Sequence, residues 1–146
     1  MQIEIKIDSS CKEPKIIILT ESMSDEVNEI IQRISEEKPH LLTAFREDVV
    51  EILDQNDIFR IYSANGKVFA VTDNTEYILR FRLYELEERL SKKYFVRISN
   101  SEIINLKKVK NFDLSYSGTI CVRMLDDSTA FVSRRYVSKI KQVLGM

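Results

Sequence analysis

The chain is poor in the residues that most chemistries require. Its 146 residues include two cysteines, Cys11 and Cys121, one histidine, His40, three glycines, two prolines and no tryptophan. Two cysteines are too few for a disulfide framework, so a reduced, cytoplasmic protein is expected. One histidine, with no cysteine pair at ligand spacing, argues against a metal site. Gly66, Gly118 and Gly145 stand far apart. They offer no glycine-rich loop to cradle a nucleotide phosphate, and no cofactor is expected. A Ser-His-Asp or Cys-His device would need His40, which follows Pro39 and has no nucleophile motif near it. The carboxylate pairs Glu87-Glu88 and Asp126-Asp127 read as a solvated helix face and a turn. The chain is therefore not expected to be an enzyme or to take a small-molecule substrate. No apolar run approaches the roughly 20 residues of a membrane-spanning helix. The opening MQIEIKID alternates apolar and charged residues, unlike a signal peptide.

What remains is an ordinary globular balance, 44% hydrophobic and 31% charged, with enough chain for a core. The net charge of −1 conceals a division. Residues 1–57 carry 6 Lys+Arg against 14 Asp+Glu, a difference of −8, and residues 58–146 carry 16 against 9, a difference of +7. A basic half of this kind suits a polyanion. It is equally what acid-rich helix composition near residues 24–37 would leave behind.

Ile3, Ile5 and Ile7 alternate with Glu4 and Lys6, which predicts a half-buried strand, and Lys15–Thr20 predicts a second, with a turn at Ser9, Ser10 and Pro14. Ser24 then caps a helix whose Val27, Ile30, Ile31 and Ile34 form one apolar face, ended by Lys38-Pro39. This strand–strand–helix arm, residues 1–40, is acidic. From Leu41 the pattern becomes short β segments: Leu41–Arg46, Val49–Asp54, Ile58–Tyr62, Lys67–Thr72 and Glu76–Leu79. A short helix follows at Leu83, Leu86 and Leu90, then Phe95–Ile98, Glu102–Asn105, Lys108–Leu114, Thr119–Met124 and Ala130–Val132. Turns are expected at Asn65-Gly66, Asp73-Asn74, Ser117-Gly118 and Asp126-Asp127. Ser133 opens a last helix, with Val137, Ile140 and Leu144 on one face and Gly145 at its end. The expected fold is mainly β (α+β overall). No two adjacent helical periods are joined by a tight turn, so a helix-turn-helix is not expected.

The basic residues of residues 58–146 cluster. Arg97 ends a strand before Ser99-Asn100-Ser101, and Lys107, Lys108 and Lys110 follow. Ser133-Arg134-Arg135-Tyr136 opens the final helix, ahead of Lys139 and Lys141. Arginine suits guanine edges and phosphates, asparagine suits the adenine edge, and serine hydroxyls at a helix start suit phosphate. On the residues alone two readings stay open at each position. Asn100 either reads a base or occupies a turn, and Arg97 either meets DNA or pairs with an acid.

Phe95-Val96-Arg97-Ile98-Ser99-Asn100-Ser101-Glu102-Ile103-Ile104-Asn105-Leu106 resembles the central motif of the LytTR DNA-binding domain: aromatic-x-Arg-x-His-Arg/Asn-Ser, apolar residues, then Asn. Ser99 stands where that motif has His. Val132-Ser133-Arg134-Arg135-Tyr136 resembles the family's Val-Ser-Arg-x-Tyr segment, and Leu83, Leu86 and Leu90 resemble the helix before the central motif. The resemblance covers residues 41–146. It implies a LytTR-type domain of small antiparallel β-sheets with short helices, in a bacterial transcription regulator that inserts loops into successive major grooves and bends the duplex. Asn100, Arg135 with Arg134 beside it, and Asn65 in the Ser63–Lys67 loop fall at the family's base contacts. The expected phosphate contacts are Lys67, Arg97, Ser99, Ser101, Lys107, Lys108, Ser133, Tyr136 and Lys139. The implied partners are double-stranded DNA at promoter repeats, a second copy on that DNA, and a membrane protein that restrains the regulator. Residues 1–40 are too short for a phospho-receiver domain, so the protein resembles a stand-alone member. The competing reading is an interaction module that keeps the fold without DNA binding, favoured by the missing His.

Overall fold

Local turn chemistry divides this sequence into strands of four to six residues, and the structure, a computed structural model, describes residues 1–35 and 41–146. The chain divides into two units, Met1–Glu36 and Glu37–Met146. The expected helix end at Lys38-Pro39, and His40, lie outside the described residues.

In the first unit the helix forms as α1, Asp25–Ser35, with Ser24 Oγ accepting from the Val27 N–H at 3.3 Å. The two strands expected before it do not form. Asp8 does turn the chain, accepting from the Ser10 N–H at 2.9 Å, but residues 3–7 and 15–20 join no ladder. Ile3, Ile5 and Ile7 are 84, 83 and 99% exposed, so their alternation has no apolar face to bury. An isolated two-stranded hairpin without such a face is marginal in water.

The second unit is antiparallel throughout. Its strands are β1 (Leu41–Arg46), β2 (Val49–Asp54), β3 (Arg60–Ala64), β4 (Lys67–Val71), β5 (Glu76–Leu79), β6 (Phe95–Ser99), β7 (Glu102–Asn105), β8 (Val109–Asp113), β9 (Ile120–Met124) and β10 (Thr129–Val132). Helix α2 (Leu83–Arg89) lies between β5 and β6, and α3 (Arg134–Val143) follows β10. Strands β2-β1-β5-β4-β3-β7-β6 make a seven-stranded sheet, and β10-β9-β8 a three-stranded one.

Two cores result from the period-two alternation of the large sheet. On one face Leu42, Ala44, Leu53, Ile61, Ala70, Leu79 and Ile103 pack with Leu83, Leu86 and Leu90 of and just after α2. On the other face, at the β7–β6 end, Val96, Ile98 and Ile104 pack with Ile120, Val122 and Met124 of the small sheet and Ile140 of α3. The β6–β7 hairpin is therefore buried on both sides, and its Ser99-Asn100-Ser101 turn is held on a rigid support.

The β3–β4 turn puts Asn65 at φ 53° and Gly66 at φ 74°, the two-residue left-handed arrangement that matches strand twist. Nothing lies within 4 Å of where a Gly66 side chain would begin. Gly66→Ala is therefore expected to cost only the backbone penalty of the left-handed region, about 1 kcal/mol. Urea unfolding checks this; a loss several times larger would mean that the turn is packed after all.

Candidate nucleic-acid interface

Three loops meet at one end of the large sheet. The β6–β7 turn is tied to β3 by the Ser63 N–H donating to the Ser101 carbonyl at 2.8 Å. The start of α3 is tied to β6 by the Ser133 N–H donating to the Ile98 carbonyl at 2.9 Å. The Tyr136 hydroxyl crosses between them, 3.2 Å from Asn100 Oδ1. An open groove lies beside the turn, and its lining includes Gly66, Lys67, Arg97 and Asn100. The Asn65-Gly66 turn, the Asn100 turn and the Arg135 helix start are thus neighbours through named contacts.

The expected base contacts differ in their freedom. Asn65, Asn100, Arg134 and Arg135 are all exposed. Arg135 has no side-chain partner among the described residues. The Arg134 guanidinium leans on the Ser117-Gly118 turn, its Nε 3.6 Å from where a Gly118 Cβ would stand. Of the two arginines, Arg135 is the one that no protein group engages among the described residues.

The expected phosphate contacts separate into groups. Lys67 and Lys139 are exposed and unpaired among the described residues. Ser99 and Ser101 hydroxyls lie 3.4 Å apart in the turn, and Ser99 Oγ also accepts from the Ser101 N–H at 3.2 Å. Ser133 is the α3 N-cap residue by position, but its side chain makes no capping bond. That leaves its hydroxyl available at a helix start. Tyr136 packs on the second core while its hydroxyl reaches Asn100.

Arg97 stands apart from the expectation. Its guanidinium is committed inside the protein, to Glu87 of α2, to the Ser99 carbonyl at 3.0 Å and to the Asn100 carbonyl. With three protein acceptors it has little left for a phosphate and instead holds the shape of the Asn100 turn. Lys107 and Lys108 sit in a 3-10 turn, Leu106–Lys108, at the end of the β6–β7 hairpin opposite Asn100. Lys107 Nζ lies 3.8 Å from the Tyr94 ring centroid, and Lys108 Nζ 5.1 Å from that of Phe59. The short length of β7 removes them from the cluster that their sequence position suggests.

Next to the turn, Glu102 pairs with Arg60 at 3.1 Å. Burial raises the Glu102 carboxyl above the ordinary carboxylate range, and the Arg60 guanidinium works against that rise. Arg80 and Arg82, either side of Phe81 between β5 and α2, also line the groove. Neither lies in a basic run of the sequence. Their only signal was the Arg-Phe-Arg alternation immediately before the Leu83 helix.

Residues 48–145 match the model of the LytTr DNA-binding domain family. The chain belongs to that family. An uncharacterized HTH-type transcriptional regulator of Staphylococcus aureus strain NCTC 8325 / PS 47 is 32% identical to this LytTR chain over 147 residues, covering 100% of this chain and 99% of the relative. A second such regulator, from strain MRSA252, is 31% identical over the same coverage. A solved LytTr DNA-binding domain from Bacillus cereus superposes with a TM-score of 0.71 at 20% identity, covering 73% of this chain and 98% of that one. That likeness establishes the fold: antiparallel sheets with short helices. The HTH-type label is said of the relatives; here strands separate each described helix from the next. Among the described residues no helix is long and apolar enough to cross a membrane.

Proposed function

We propose that this LytTR protein is a transcription regulator that binds double-stranded DNA sequence-specifically, inserting loops into successive major grooves. The carrying observation is the convergence of the Asn65-Gly66 turn, the Ser99–Ser101 turn and the α3 N-terminus at one end of the sheet, with Asn100 and Arg135 exposed there. Arg135 offers a planar fork suited to a guanine edge, and Asn100 and Asn65 offer amides suited to adenine. Lys67, Lys139, Ser99, Ser101 and Ser133 surround them with donors suited to phosphates. Arg97 serves as a positioning residue for the turn. On this reading two copies occupy adjacent promoter repeats, with the duplex bent between the contacts.

The test is fluorescence anisotropy with a labelled duplex from the protein's own promoter region, competed by random DNA across a salt titration. The expected result is an affinity falling steeply with salt, at a log–log slope near −0.9 per phosphate neutralised, and a preference for the promoter of at least about a thousandfold. Binding that ignores salt and treats both duplexes alike would overturn the proposal in favour of an interaction module with the same fold.

A further inference from the structure

The groove beside the Asn100 turn holds more positive charge than the loops around it require. Val68 and Leu79 are the terminal partners across β4 and β5, so Lys67, which begins β4, and Arg80, which follows β5, stand at the same end of the pair. Like charges gathered there repel. No acid lies between them: the groove's one lining carboxylate, Glu85, accepts from the Arg82 backbone N–H at 3.1 Å and is held at the start of α2. Arg82 is exposed and carries no ion pair among the described residues. Arg80 is also exposed, with its guanidinium 3.9 Å from the Phe45 ring centroid. That stacking limits the rotamers Arg80 loses on binding. Arg97, the remaining cation of the lining, is already neutralised by Glu87.

The lining between these cations includes the half-buried apolar side chains Val68 and Ile78. The lining has no buried polar side chain converging on a point, as a small-anion site would need. It is open, and loops with candidate base readers stand at both ends. Successive cations in an open groove with apolar side chains between them match a sugar–phosphate strand, whose charges recur along its length and whose deoxyriboses present carbon.

We propose that Lys67, Arg80 and Arg82 form a clamp for the DNA backbone where it passes between the bases met by the Asn65-Gly66 turn and those met by Asn100. The proposal rests on the DNA-binding reading and adds Arg80 and Arg82 to it. A backbone clamp neutralises phosphates that carry no sequence information, so its removal weakens every duplex alike.

The experiment is the same salt-titrated anisotropy with full-length Arg80→Ala, Arg82→Ala and the double variant, and with Lys92→Ala as a control. Lys92 pairs with Glu88 near the far end of α2 and removes the same unit of charge. Each single groove variant is expected to lose on the order of fivefold affinity on promoter and random DNA equally and to lower the salt slope by about 0.9, and the double variant to lower it by about twice that. Lys92→Ala leaves both unchanged. A promoter duplex with neutral methylphosphonate linkages between the two sets of contacted bases tests the wild-type protein without any substitution. It is expected to bind more weakly than the native duplex, and the double variant, which keeps Lys67, is expected to lose less by the change than the wild-type protein does. Groove variants with wild-type slope and affinity, or a double variant as sensitive to methylphosphonates as wild type, would overturn the clamp while promoter preference persists. A changed base preference in Arg80→Ala or Arg82→Ala would also overturn it, because that would make the residue a base reader. Failure of the wild-type protein to bind any duplex would instead fail the DNA-binding reading, and the clamp with it.

Discussion

Asn105→Ala is expected to lower the unfolding free energy by about 3 kcal/mol, since it strands the buried Ile58 carbonyl and unpairs the part-buried Lys107 N–H, at about 1–3 kcal/mol each. Asn105 is 1% exposed. Its Nδ2 donates to the Ile58 carbonyl at 2.9 Å, and its Oδ1 accepts from the Lys107 N–H at 3.0 Å. Its own backbone N–H donates to the Phe59 carbonyl at 3.0 Å. One side chain thereby ends β7, starts the 3-10 turn and fastens the segment entering β3. Alanine leaves the Ile58 carbonyl without a partner in a buried position and takes the acceptor from the part-buried Lys107 N–H. Asn105→Asp keeps the acceptor for Lys107 but turns an anion toward the Ile58 carbonyl, so it is expected to lose a comparable amount. Urea unfolding should show a lower midpoint with an unchanged slope. A loss below about 1 kcal/mol would mean that these two bonds are replaced by water. The motif's closing Asn is on this account a structural residue rather than a DNA contact.

That example marks how far the fold was legible. The strands Leu41–Arg46, Val49–Asp54, Glu76–Leu79 and Glu102–Asn105 fall where short apolar runs between polar turn residues put them. Turn residues that bound a short apolar run are a local signal, which a sequence displays directly. The strand expected from Ile58 begins only at Arg60. Asp54 accepts from the Asn56 N–H at 2.9 Å and opens a 3-10 turn, after which Ile58 and Phe59 point into different cores. Consecutive apolar residues that serve two cores look like one strand in a sequence. The arm failed for the opposite reason. Its alternation is strict, but no partner surface covers it, and pattern alone does not reveal a missing partner. The sheet order, with β1 beside β5 and β3 beside β7, depends on contacts distant in sequence that no periodicity encodes.

The candidate site was legible at its turns and illegible in its pairings. Asn65-Gly66, Ser99–Ser101 and Ser133–Tyr136 each stand at an element boundary that small polar residues announce. Which cations are free is a tertiary matter. Arg97 and Glu87 are ten residues apart, on different elements, and only the packing of α2 against the sheet joins them. Lys107 and Lys108 are near Asn100 in sequence, yet the hairpin carries them to its other end. Arg80 and Arg82 were hidden because they lie outside the basic runs of the sequence, and only the fold brings the β5–α2 connection beside the turn that holds Lys67.

On the proposed reading, Arg135→Ala and Asn100→Ala each lose about 1–3 kcal/mol on the promoter duplex, roughly fivefold to 150-fold in affinity. Random DNA should be held nearly as well as before, because neither change alters the backbone contacts that dominate non-specific binding. Arg135 has no protein partner among the described residues, so its truncation leaves no stranded group. Its stability is expected to stay within about 0.5 kcal/mol of wild type, which removes unfolding as an explanation for lost binding. Asn100 is different in one respect: it gives up the Tyr136 hydroxyl, but both groups reach solvent and can hydrate. That same bond couples the two reading elements. The double variant should therefore lose less than the sum of the single losses, since displacing the turn already spoils the setting of the helix start. Lys139→Ala should weaken promoter and random DNA by the same factor. Equal losses on both duplexes for Arg135→Ala and Asn100→Ala would remove them as base readers and make them further backbone contacts.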